Sequence, residues 1–137
     1  MYQSDVADKY KQNSVQTMRP EELTLTLYNG LVKNLMKAEF ALTENDIEVT
    51  NNSLVKAQDI LYEFVITLDM QYEVANGLSL LYDYMINRVA EANIKKDVEI
   101  VREVLKFAQD LRDTWQEAMK LSKGKVPDKE EKLAIAK

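Results

Sequence analysis

Chemistry in a small protein needs side chains that hold a proton, a metal or a nucleophile in place, and this sequence has few. Its 137 residues include no histidine and no cysteine. Carboxylate-bridged di-iron bundles rely on Glu-x-x-His pairs, which cannot be written here. Zinc would find only carboxylates as ligands, histidine phosphotransfer lacks its phosphorylated residue, and no Gly-rich phosphate loop is present. What remains is adjacent carboxylates, Glu21-Glu22 and Glu130-Glu131. The first pair falls at a helix start and the second in a charged tail, so both read as solvated charge. No enzymatic activity, cofactor or metal site is expected.

Composition narrows the class further. The length suits one domain with a sizeable core. Net charge is −5, and no basic patch interleaved with aromatics is present, which disfavours nucleic acid as the main partner. There is no apolar run of about eighteen residues and no charged-then-apolar start, so neither a membrane span nor a signal peptide is expected. Absent cysteine fits a reducing compartment, and a cytoplasmic location is the expectation.

The elements follow from periodicity. Leu23-Thr-Leu-Thr-Leu27 alternates as a half-buried strand would, and Asn29-Gly30 is a hairpin signal. Yet three glycines and two prolines cannot supply the turns of an all-β domain. Pro20-Glu21-Glu22 is instead a helix start, with proline preset for the first turn and carboxylates at the positive end of the dipole. Leu27, Leu31, Leu35, Ala38 and Leu42 continue at helical spacing. Gly30 then lies inside a helix, and close packing on a neighbour is the expected reason.

Past the polar stretch Thr43 to Asn52, the second helix carries Leu54, Ala57, Leu61, Phe64 and Leu68. A break at Asp69 to Tyr72 leads to the third, with Val74, Leu78, Leu81, Met85, Val89 and Ala92. After a second break at Asn93 to Lys96, the fourth begins at Asp97, carries Val98, Val101, Leu105, Ala108, Leu111 and Trp115, and is closed by Gly124. The pattern predicts an all-α, antiparallel up-down-up-down four-helix bundle over 20–123. An N-terminal arm spans 1–19, with one possible helical turn around Val6 and Tyr10. A charged C-terminal tail spans 124–137, either solvated or with a short helix capped by Asp128 and Glu131.

Two helices carry more apolar residues than one core face requires. At about 100° per residue, Leu25, Val32, Met36 and Phe40 form a companion stripe on the first helix, roughly 135° from the main one. On the second helix Val55, Tyr62, Ile66 and Met70 repeat the arrangement. One reading is a broad core stripe with scattered exposed apolar residues. The other is an open groove for apolar segments of another chain, to which Met and Tyr are suited. Periodicity alone does not say which stripe faces inward. An internal echo also appears: Leu27–Leu35 aligns with Leu81–Val89, matching Tyr28 to Tyr82 and Ala38 to Ala92.

Several blocks together carry a family resemblance. They are YKQNSVQT (Tyr10 to Thr17), PEELTLTLYNGLVKNLMKAE (Pro20 to Glu39), KAQDILYEFVITLD (Lys56 to Asp69), LLYDYMINRVAEANIKKD (Leu80 to Asp97) and LRDTWQEA (Leu111 to Ala118). In this order, over about residues 2 to 122, the chain resembles the flagellar secretion chaperone FliS family. Met18-Arg19 stands where the family has small residues, often with a capping serine, which makes Thr17 the candidate cap.

The resemblance implies a four-helix bundle that binds the disordered C-terminal segment of flagellin. It prevents premature polymerisation and delivers its client to the flagellar type III export gate, as a monomer binding one client and needing no nucleotide. It implies that the N-terminal segment can cover part of the client surface. By position it assigns Tyr10, Gln12, Asn13 and Val15 to this arm, and Leu23, Leu27, Tyr28 and Leu31 to the adjoining helix. Together with Leu25, Val32, Met36, Tyr62 and Ile66 from the companion stripes, these are the expected partner-binding residues. The competing readings are a self-associating structural or regulatory bundle and a carboxylate metal-binding bundle.

Overall fold

A computed structural model of the protein describes residues 18–122. They form four helices: α1 (Pro20–Thr43), α2 (Ile47–Thr67), α3 (Glu73–Lys95) and α4 (Val98–Ser122). α1 packs on α2 and α4, and α3 packs on the same two, so the helices close a four-sided antiparallel bundle. The expected tail and all of the expected arm except Met18 and Arg19 lie outside the described residues, as do Thr17 and Gly124.

The expected main stripes fill the interior. Leu31, Leu35 and Ala38 meet Leu54, Ala57, Leu61 and Phe64 from α2, Met85, Val89 and Ala92 from α3, and Val101, Val104, Ala108 and Trp115 from α4. Val74, expected in the third stripe, is exposed at the start of α3, while Ala75 is buried in its place.

The Leu-Thr-Leu-Thr-Leu alternation is helical. Thr24 and Thr26 donate their hydroxyls to the carbonyls of Pro20 and Glu22, one turn back, so both hydroxyls are satisfied within the helix. Pro20 occupies the first turn, as expected, but the residue before it is Arg19, whose side chain makes no capping bond to the helix. Arg19 instead holds the Glu22 carboxylate at 2.7 Å. Gly30 has the predicted close neighbour: a Cβ there would lie 3.3 Å from Ile60 Cδ1 on α2.

Two helix boundaries differ from expectation. The polar stretch Thr43 to Asn52 is mostly helix, because the Asp46 carboxylate accepts the Val49 N–H and its carbonyl accepts the Thr50 hydroxyl. The turn shrinks to Glu44-Asn45-Asp46, with Asn45 in the left-handed region that asparagine tolerates (φ 57°). At the second site α3 runs through Asn93 and Ile94 to Lys95, and the corner is made by Lys96 at φ 54°. Asp97 precedes α4 and accepts the Glu99 N–H. The α2–α3 connection is the longer Leu68–Tyr72, where the break was expected.

Candidate functional site

The echo between α1 and α3 becomes a contact across the bundle. Tyr28 and Tyr82 meet hydroxyl to hydroxyl at 2.7 Å. Phe64 of α2 stacks between their rings, with centroids 4.5 Å from Tyr28 and 5.4 Å from Tyr82. Burial pushes both phenols above their ordinary pKa. Both therefore stay protonated, and the stack is a structural centre with a polar lock rather than reactive chemistry. A second tie joins the first and last helices: Trp115 donates its indole N–H to the Glu21 carbonyl at 3.0 Å, fastening late α4 to the first turn of α1.

Among the described residues no group of three or more His, Cys, Asp or Glu side chains is placed to hold a metal. Nor is any described helix long and apolar enough to cross a membrane. The Glu21-Glu22 carboxylates face Arg19, and Glu130-Glu131 lies outside the described residues.

The companion stripes separate. On α2, Asn51 accepts a bond from Asn93, and Gln58 donates to the Ile86 carbonyl, both across the seam to α3. Val55 and Tyr62 lie one helical turn from these residues and so border the same seam. Val55, Tyr62, Ile66 and Met70 are all exposed, Ile66 at 76% and Met70 at 53%. On the α3 side Ser79, Asp83 and Ala90 share the helical spacing of Ile86 and Asn93 and so lie along the same seam.

The α1 stripe runs along the opposite seam. Glu39, three residues beyond Met36, pairs with Arg102 of α4 at 2.9 Å. Beside this seam Val32 is only 3% exposed, Leu25 is half-buried, and only Met36 and Phe40 reach solvent. Val32, expected among the partner-binding residues, is buried on the side of α1 that faces α4. Tyr28 and Leu31, assigned to the partner surface by resemblance, are buried as well. They are fully buried, Tyr28 by the aromatic stack and Leu31 by the core. Leu23 and Leu27 are half-buried. Tyr62 and Ile66 stand together on α2, whereas Met36 lies on another side of the bundle. Tyr10, Gln12, Asn13 and Val15 lie outside the described residues.

The sequence profile of the family described as Flagellar protein FliS matches residues 2–122. The chain belongs to the FliS family. Among its relatives, the flagellar secretion chaperone FliS of Bacillus subtilis (strain 168) is 43% identical over 110 residues, covering 80% of this chain and 83% of the relative. The flagellar secretion chaperone FliS of Salmonella typhimurium is 30% identical, covering 85% and 92%. A crystal structure of a bacterial flagellar chaperone superposes with a TM-score of 0.68 at 22% identity, covering 86% of this chain and 98% of that one, and so shares the fold of this FliS-family bundle.

Proposed function

We propose that this protein is an export chaperone for flagellin. It binds the disordered C-terminal segment of newly made flagellin in the cytoplasm, keeps it from polymerising and delivers it to the flagellar type III export apparatus. Family membership supports a chaperone role. The observation that carries the client site is the open row Val55, Tyr62, Ile66 and Met70, beside small α3 residues, on a bundle whose core is already filled.

A disordered client loses conformational freedom on binding but covers a large surface, and short amphipathic helices laid along an apolar seam recover that free energy by burial. Affinity then comes from apolar contact, and no nucleotide is required. Calorimetric titration with flagellin tests the reading, with one-to-one stoichiometry and a negative heat-capacity change expected. Unimpaired binding of flagellin truncated at its C-terminus would overturn it. Light scattering of the free protein checks the competing use of the same row: a stable dimer at micromolar concentration that Ile66→Asp dissociates would assign the row to self-association. The part that the resemblance gives to Tyr10, Gln12, Asn13 and Val15 is tested by deleting Met1 to Lys9 and by Tyr10→Ala. Unchanged or higher affinity is expected from the deletion, and a large loss with Tyr10→Ala would make Tyr10 a direct client contact.

A further inference from the structure

The outer face of α1 differs from every other charged surface among the described residues. Arg19, Arg88, Lys95, Arg102, Lys106 and Arg112 each hold a carboxylate, and Lys96 holds Asn93. Lys120 stands apart near the end of α4. The other cations without a recorded partner are Lys33, Lys37 and Lys56, and these three gather.

Lys33 and Lys37 sit one turn apart, like charges at a spacing that disfavours the helix. The residues three and four positions away from them are Asn29, Gly30, Asn34, Met36, Phe40 and Ala41, so no carboxylate is in reach along α1. The Gly30–Ile60 contact sets the register of the antiparallel α1–α2 pair. It puts Lys56, one turn before Ile60, level with Asn34, between the two α1 lysines. Met36 and Phe40 lie beside Lys33 and Lys37, 51% and 67% exposed. Glu39, held by Arg102, stands one turn from Met36, and Glu44 one turn past Phe40. Positive charge therefore borders the apolar pair on its α2 side, on a protein whose net charge is −5.

We propose that this face, Lys33, Met36, Lys37 and Phe40 of α1 with Lys56 of α2, docks an acidic amphipathic helix of a second protein partner, separately from the client row beside α3. Met36 and Phe40 match apolar anchors at helical spacing on the partner, and the lysines match carboxylates flanking those anchors. A helical protein segment fits better than the other anions. Nucleic acid requires many phosphate contacts, and a lipid surface favours a denser basic segment than three lysines. The site is separable from the proposed client row on α2, because the two faces share no residue; Met36, expected from the sequence among the client contacts, is assigned here to the second partner.

The probe is a fluorescein-labelled synthetic peptide with leucines on one helical face and glutamates elsewhere, beside a control of the same composition with its leucines scattered. Fluorescence anisotropy with the full chain should show salt-sensitive binding of the first peptide. Phe40→Ser and the pair Lys33→Glu/Lys37→Glu should each weaken it at least about tenfold, while Ile66→Asp leaves it unchanged. The lysine pair should retain full affinity for flagellin, so failure here and failure of the client reading are distinguishable. All these positions are exposed, and an unchanged melting curve confirms the fold of each variant. The proposal is overturned if the scattered peptide binds equally, if Ile66→Asp abolishes binding, or if the chain ignores the peptide. Lysine-dependent binding to phosphatidylglycerol vesicles or to single-stranded nucleic acid, without peptide binding, also overturns it and assigns the face to that anion.

Discussion

The companion stripes of α1 and α2 have the same spacing, the same offset from the core and similar residue types, yet the bundle treats them differently. On α1 the stripe meets α4, which buries Val32 and half-buries Leu25, so only Met36 and Phe40 reach water. On α2 the stripe stays open from Val55 to Met70. At about 100° per residue Val32 lies about 100° from the core stripe of its helix, whereas Ile66 lies about 160° from its own. A stripe's mean angle therefore hides the spread of its members, and exposure follows each residue's own angle.

The largest effect that would break this comparison is at the covered member of the α1 stripe. Val32→Asp places an uncompensated charge under α4 and should cost about 3–5 kcal/mol of stability, read from urea unfolding. A loss below about 1 kcal/mol would mean that Val32 is as open as Ile66.

The aromatic lock sharpens the picture of what is truly interior. Tyr28→Phe or Tyr82→Phe alone leaves the other hydroxyl buried without its partner and should cost about 1–3 kcal/mol. The double variant should cost less than the sum of the two, and additive losses in that double-mutant cycle would show that the hydroxyls do not interact.

Gly30 probes the α1–α2 contact. Gly30→Ala gains helix propensity of up to about 1 kcal/mol, against a methyl that meets the end of the half-buried Ile60 side chain. Because Ile60 can shift its outer methyl, a small net rise in melting temperature is expected. A fall would show that the seam is too tight to give.

At the open α2 row, Ile66→Asp should change stability by no more than about 0.5 kcal/mol while weakening flagellin binding. A large loss of stability would make the row part of the core.

The smallest effect is electrostatic and lies on the α3–α4 seam, away from both stripes. The hydrogen bond from Arg88 holds the Glu103 carboxyl below the usual carboxylate range, and Lys95 with Arg88 does the same for Glu91. Their contribution is present above the ordinary glutamate pKa and is lost as pH falls through the depressed folded values. Both groups are open to solvent, so salt should shrink the effect. Thermal melts in acid should show a shallower decline for Glu103→Gln than for the parent.

The bundle itself was legible in the sequence because apolar spacing in each helix persists over several turns and outweighs a five-residue alternation. Gly30 was legible too, since a glycine within a helix implies a close neighbour. The first corner was not, because Asn45-Asp46 resembles ordinary loop and only the backbone shows Asp46 capping α2. The burial of Val32 was not legible, because the mean angle of its stripe hides that Val32 lies nearest the core face. Tyr28 illustrates a further limit. Its alignment with Tyr82 was visible, but that the two hydroxyls meet across the core depends on three helices at once. The basic face gave little sign, since Lys56 joins Lys33 and Lys37 only through the antiparallel register.

The corners at Asn45 and Lys96 lie at the same end of the molecule, and each is only two or three residues long. They make the protein a pair of tightly bent helical hairpins, α1–α2 and α3–α4, joined at the far end by the looser Leu68–Tyr72 strap. At that far end late α4 is fastened to the first turn of α1 by the Trp115 bond to Glu21. The longer strap should make that end open before the tight corners, so amides beside the strap exchange with solvent sooner than those beside Asn45 and Lys96. Ile66 and Met70 sit at that end, so the exposed apolar row of α2 would be the first part of its helix to loosen.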